Sequence, residues 1–172
     1  MNKILLSILA LALFSTGYSQ NEKSNRNIPP EQEINLVKAP FQVTEALDFT
    51  VTDTDGNTLH LFEALDNGKT VLLDFFFTTC SFCQQYAPII EQVYQNTGAG
   101  SGDIYFWGLD YGDTDAEVIA YKQAYGVTNP CASGIEGNAN AAIQLYIDNF
   151  NFIGYPTYTV ICPDRTVYWD VN

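Results

Sequence analysis

Cys80-Ser81-Phe82-Cys83 sets two thiols three residues apart, where an apolar run over residues 71–77 gives way to a stretch of helical character over residues 81–96. A cysteine at the start of a helix sits among unpaired backbone N–H groups at the positive end of the helix dipole, and both favour thiolate over thiol. Cys80 therefore reads as the nucleophile. Cys83, one turn on, is placed to attack a mixed disulfide formed on Cys80, the second step that disulfide exchange requires. The spacing alone also admits half of a zinc site or an inert structural disulfide. Zinc needs two more ligands, whereas His60 is the only histidine and Cys131 and Cys162 stand apart rather than as a second close pair.

The pair must be held by the elements around it. Within residues 71–77 the one polar residue is Asp74, so the run reads as a buried strand carrying a carboxyl that must be protonated or hydrogen-bonded. Residues 49–51 and 58–61 flank Asp53-Thr54-Asp55-Gly56-Asn57 and predict a hairpin; Asp53-x-Asp55-Gly56 suggests a calcium loop, but the other ligands are missing and a tight turn is the better reading. A second buried strand is expected over 104–109. Thr114 and Glu117 form a capping box for a helix running to about residue 125. A short helix over 140–149, a strand over 158–161, a turn at Pro163-Asp164 and a last strand over 166–169 follow. Strands alternating with helices give an α/β domain, a central mixed sheet flanked by helices. Tyr86, Tyr94, Tyr105, Phe106 and Trp107 read as core aromatics.

Composition narrows the partners. The 172 residues carry 7 Lys+Arg against 20 Asp+Glu, a formal charge of -13, with no basic stretch to meet a phosphate backbone. Nucleic-acid binding is excluded on those grounds. Residues 1–19, with Lys3 ahead of an apolar run over 4–14 and small residues Gly17 and Ser19, read as a cleaved signal peptide. The run is shorter than the roughly 20 residues that span a bilayer, so no membrane anchor is expected. Residues 20–39 read as a polar linker and 40–172 as the folded domain. Export, to a periplasm or outside the cell, places the cysteines where disulfides persist.

With those features in hand, the chain resembles the thioredoxin superfamily, and within it the exported TlpA-like redoxins. Asp74 six residues before Cys80, Pro88 five after Cys83, and Gly154-Tyr155-Pro156-Thr157 match the family's buried acid, helix proline and cis-proline turn. The similarity runs from about residue 41 to 169. It implies a thioredoxin-like fold with an N-terminal hairpin extension, and a thiol-disulfide oxidoreductase that needs neither metal nor organic cofactor. By the resemblance, Cys80 attacks, Cys83 resolves, Asp74 accepts a proton from Cys83, and Pro156 shapes a substrate groove bounded by Thr79, Ser81, Phe82, Tyr155 and Thr157. Substrates would be protein thiols and disulfides, and a separate redox partner protein would restore the C-x-x-C pair. The family's sheet order separates Cys131 from Cys162, leaving Cys162 as a buried thiol at a strand end.

The sequence departs from the pattern in three places. Thr79 replaces the usual aromatic residue, Ser81-Phe82 replaces a Gly-Pro type dipeptide, and no helix follows Trp169. The outward face of Val167 and Trp169 is then expected to be apolar and covered, either by a second copy in a homodimer or by Ile34-Asn35-Leu36-Val37. Two alternatives stand beside the oxidoreductase: a non-catalytic secreted binding module of the same fold, and a peroxiredoxin-like hydroperoxide peroxidase. The second places a threonine three residues before its cysteine, where this chain has Phe77.

Overall fold

The structure is a computed structural model that describes residues 44–171. The signal-peptide and linker assignments, the domain's first residues and the stretch 34–37 lie outside the described residues. In chain order the elements are β1 (Thr44–Glu45), β2 (Thr50–Thr52), β3 (Thr58–His60), α1 (Leu61–Asp66), β4 (Thr70–Phe76), α2 (Ser81–Asn96), β5 (Ile104–Asp110), α3 (Asp115–Tyr125), β6 (Cys131–Ala132), α4 (Ala139–Asn149), β7 (Thr157–Ile161) and β8 (Thr166–Tyr168). Six strands make one mixed sheet in the order β1-β8-β7-β4-β5-β6, and β2 and β3 make a separate hairpin. β4 runs parallel to β5 and antiparallel to β7, in the middle of the sheet.

Strand alternation divides the core in two. Val71, Leu73 and Phe75 of β4 face a large cluster with Leu61 and Leu65 of α1 and Ile143 and Tyr146 of α4. On the other face Phe76 joins Cys80, Cys83, Ala87, Val118, Tyr121 and Cys131 beneath α2 and α3. The capping box on α3 has both of its hydrogen bonds, and the helix ends at Gly126 in the left-handed region, φ 71°. The Asp53 carboxylate closes the expected tight turn: its Oδ1 accepts from the N–H groups of Asp55 and Asn57 at 3.0 and 2.8 Å.

Four expectations need correction. The hairpin strand ends at His60, because Leu61, Ala64 and Leu65 bury one side of a short helix rather than continuing the strand. Val167 and Trp169 do not form an exposed apolar face. Val167 is paired with Ile161 and is 1% exposed, while Trp169 stacks on Phe150 at 4.8 Å between ring centroids and donates from Nε1 to the Asn151 carbonyl. Tyr168, one residue between them, points to the opposite face and is 42% exposed. Tyr86, expected in the core, is also 42% exposed, and Cys162 is half-buried just past the end of β7. Among the described residues no helix follows β8.

Candidate active site

Cys80 and Cys83 are joined as a disulfide across the first turn of α2, with Cα atoms 5.2 Å apart. Cys80 is the N-cap of that helix, and its Sγ accepts a hydrogen bond from the Cys83 backbone N–H at 3.1 Å. This is one of the N–H groups that a helix leaves unpaired, and it binds a thiolate more strongly than a thiol. Both cysteines are buried, whereas Thr79, Ser81 and Phe82 around them are exposed. A bridged pair offers no thiolate to a metal, which removes the zinc reading for this state.

Three hydrogen bonds tie down the redox segment, two at Thr78 before the cysteines and one at Cys83. The Thr78 N–H donates to Asp113 Oδ2 at 2.7 Å, Gln84 Nε2 donates to the Thr78 carbonyl at 2.8 Å, and Tyr121 Oη donates to the Cys83 carbonyl at 3.1 Å. Asp113 is held in turn by Asp110, whose Oδ2 accepts from the N–H groups of Asp113 and Gly134. Burial pushes the Asp110 carboxyl up to about 7. Asp113 goes the other way: against the cost of burial, the Thr78 hydrogen bonds hold it below the usual carboxylate range. Neither acid was singled out from the sequence. The available signal was Asp110 closing an apolar strand beside the one that leads to Cys80.

Asp74 lies on the face of β4 that α2 covers. Its Oδ1 is buried with no hydrogen-bond partner, and desolvation raises its pKa to about 7. It lines a cavity of about 10 Å³ with Ala87, Ile90 and Tyr121, beneath the helix that carries Cys83. The Tyr155-Pro156 bond is cis. Tyr155 meets Phe77 edge to face at 5.3 Å and packs against the cluster containing both cysteines, so the Pro156 turn and the disulfide share one neighbourhood. Thr157 is 1% exposed, and its hydroxyl donates to the Gly154 carbonyl at 2.6 Å, bracing that turn.

The other singled-out residues fall elsewhere. Cys131 is buried on β6 and its pKa is pushed up to about 12 by burial, while Cys162 lies beyond β7 on the far side of β4, so the two remain free thiols. His60 is bonded to Asp48 at 2.9 Å, which raises its pKa. It lines a cavity of about 390 Å³ at the start of β5, the opposite end of the sheet from the disulfide.

Comparison with known proteins agrees with this arrangement. Over 88 residues the chain is 32% identical to thiol-disulfide oxidoreductase ResA of Bacillus anthracis, covering 51% of this chain and 49% of that one. The chain thus spans about half the length of that relative. The ResA of Bacillus thuringiensis subsp. konkukian is 27% identical over 128 residues, 74% of this chain and 68% of its own. Among solved structures, the thioredoxin domain of a thiol-disulfide oxidoreductase from Bacteroides vulgatus matches with a TM-score of 0.62 at 17% identity, over 75% of this chain and 86% of that one. A thiol:disulfide interchange protein of the thioredoxin family from Chlorobium tepidum matches with a TM-score of 0.60 at 22% identity, over 73% and 83%. These likenesses give the chain a thioredoxin fold. Residues 43–170 match the AhpC/TSA family, three quarters of the sequence, and the chain belongs to that family.

Proposed function

We propose that this protein is a thiol-disulfide oxidoreductase acting on protein thiols and disulfides. The carrying observation is the Cys80–Cys83 disulfide at the N-terminus of α2, beside the cis Pro156 turn. In the reductive direction the Cys80 thiolate attacks one sulfur of a client disulfide, forming a mixed disulfide and releasing the other sulfur as a thiolate that takes up a proton. Cys83 then gives its proton to Asp74 and attacks Cys80 Sγ. The Cys80–Cys83 bond forms, the mixed disulfide breaks, and the second client sulfur leaves as a thiolate that takes up a proton, so the client departs as a dithiol with two electrons gained. A carboxyl that titrates near 7 is matched to taking and returning that proton at neutral pH. Run in reverse, the same steps oxidise a client dithiol, and in either direction a redox partner protein restores the starting state.

Residues 1–19 support export of a chain beginning near Gln20, with residues 40–172 as the working domain, and Thr79, Ser81, Phe82, Tyr155 and Thr157 bound the groove. Among the described residues no helix is long and apolar enough to cross a membrane. The test is reduction of insulin by dithiothreitol: the protein accelerates it, and Cys80→Ser abolishes the acceleration. Membership in the AhpC/TSA family favours a second reading as a hydroperoxide peroxidase, which consumption of hydrogen peroxide by the reduced protein would reveal. An intact protein with neither activity would point to the non-catalytic binding module.

A further inference from the structure

Cys83 is held at both ends of its backbone. Its N–H donates to Cys80 Sγ at 3.1 Å, and its carbonyl accepts from Tyr121 Oη of α3, also at 3.1 Å. The helix alone does not fix the residue. Pro88 lies inside α2, where it supplies no N–H and its ring crowds the carbonyl four residues earlier, that of Gln84, so the ladder of helix bonds is broken one residue past Cys83. A donor from another element braces the chain at that point.

Tyr121 ties three elements together here. Its ring stacks on Phe76 at 5.0 Å between centroids, and Phe76 and Asp74, two residues apart on β4, point to the same face of the sheet. The side chain is buried, belongs to the cluster that contains both cysteines, and lines the cavity of about 10 Å³ to which Asp74 and Ala87 also contribute. Burial first, and the Asp74 carboxylate second, push the phenol above its usual range, so the hydroxyl keeps its proton and stays a donor to Cys83 while Asp74 titrates.

Resolution asks for a placement that neither Cys83 nor Asp74 secures by itself. Asp74 belongs to β4 and its Oδ1 has no partner to orient it, whereas Cys83 rides on α2. A proton must pass from Cys83 Sγ to the Asp74 carboxylate before the new thiolate attacks Cys80 Sγ, and a small shift of α2 against β4 slows that step. We infer that Tyr121 is a positioning residue of the resolving step: by bonding the Cys83 carbonyl it fixes Cys83 relative to Asp74 for the proton transfer that precedes attack on Cys80. The inference rests on the exchange reading above and adds to it a residue of α3 that itself exchanges neither proton nor electron.

The test separates the two attacks with Ellman's reagent, dithiobis(nitrobenzoic acid), on the reduced protein in a Cys162→Ser background, so that the half-buried thiol does not contribute. Cys80 attacks first and releases one thionitrobenzoate. Cys83 then attacks Cys80 Sγ, which closes the disulfide and releases the second, so the dithiol is oxidised as the reagent is reduced to two thiols; stopped-flow absorbance follows both phases. Tyr121→Phe keeps the ring and removes the donor. It should slow the second phase about tenfold, the effect expected for one hydrogen bond to a buried carbonyl, and leave the first within about twofold of the parent, which also shows that the site is folded. Asp74→Asn should slow the second phase too, and the double variant should stay within about twofold of Asp74→Asn, because placement matters only while the acceptor is present. Tyr125→Phe, which removes a hydroxyl from the same helix beside Tyr121, should match the parent in both phases. An unchanged second phase in Tyr121→Phe, equal slowing of both phases, equal slowing by Tyr125→Phe, an Asp74→Asn protein that resolves as fast as the parent, or effects of Tyr121→Phe and Asp74→Asn that multiply would each overturn the inference and leave disulfide exchange standing. A parent protein that releases only one thionitrobenzoate would instead sink the exchange reading, and the inference with it.

Discussion

At the scale of single residues, the chemistry depends on which sulfur and which carboxyl change charge near neutral pH. Once the disulfide is reduced, the Cys83 N–H that now points at Cys80 Sγ stabilises a thiolate there, whereas burial raises the pKa of Cys131 to about 12 and that of Cys162 above its usual value. Cys80 should therefore be alkylated by iodoacetamide at pH 7 well before the other three, as read by peptide mass spectrometry. Faster labelling of Cys131 would move the reactive site. Cys83→Ser should accumulate mixed disulfides with clients, because no thiol is left to release them. Asp74 gives a separate test through stability. Its folded pKa near 7 lies above the unfolded value, so between about pH 4 and 7 the folded state holds a proton that the unfolded state has lost. Stability thus falls as pH rises through that window, by about 1.4 kcal/mol per unit for this group, and is flat above it. Asp74→Asn should melt higher than the parent at pH 8, match it near pH 4, and slow the resolving step without slowing alkylation of Cys80.

At the scale of elements, the redox loop is held by a strand end rather than by α2 alone. Asp110 at the end of β5 fixes Asp113, and Asp113 fixes Thr78 two residues before Cys80. Asp113→Ala removes the partner of a half-buried N–H, a loss of about 1–3 kcal/mol, and should speed hydrogen exchange at Thr78 while leaving α4 protected. β5 and β6 are fitted as closely. A Cβ built on Gly108 would sit 2.6 Å from Cys131 Sγ and 3.1 Å from the Phe76 ring, and both neighbours are themselves buried. Gly108→Ala should lower the melting temperature through overpacking by about 1–3 kcal/mol, and Gly108→Ala/Cys131→Ala should recover part of it.

For the whole molecule, the two faces of the sheet are finished differently. On the α1 and α4 side, Trp169 closes the core by stacking on Phe150 and Tyr146 and meeting Phe75. Trp169→Ala should therefore cost about 3 kcal/mol in urea unfolding, although the residue lies outside every strand and helix. A change under 1 kcal/mol would mean that this side is sealed without it. The pH profile is also a property of the whole chain. Asp74 and Asp110, both raised to about 7, and mutual repulsion of the excess acids make the fold more stable on mild acidification. Asp113 and Glu91, both held low by hydrogen bonds, withdraw stability once pH drops below the ordinary carboxylate range. Thermal melts should accordingly peak on the acid side of neutrality, between about pH 4 and 6.

Much of the site was legible from local pattern. The C-x-x-C spacing, the lone Asp74 in an apolar strand, the capping box at Thr114 and the alternation of strands with helices are encoded within a few residues each, and steric and hydrogen-bonding rules act at that range. Pro156 and its neighbours were legible only through resemblance, since nothing near them in sequence announces the disulfide they pack beside. Other features were decided by tertiary structure because they depend on what lies across a gap in the chain. Asp113 meets Thr78 across 35 residues. The register of β8 on β7 turns Val167 inward and Tyr168 outward, where a shift of one residue would exchange them. An aromatic residue such as Tyr86 is equally suited to a core or to an open flank. Only the packing of α2, which turns Cys83 and Ala87 inward, left Tyr86 on the surface.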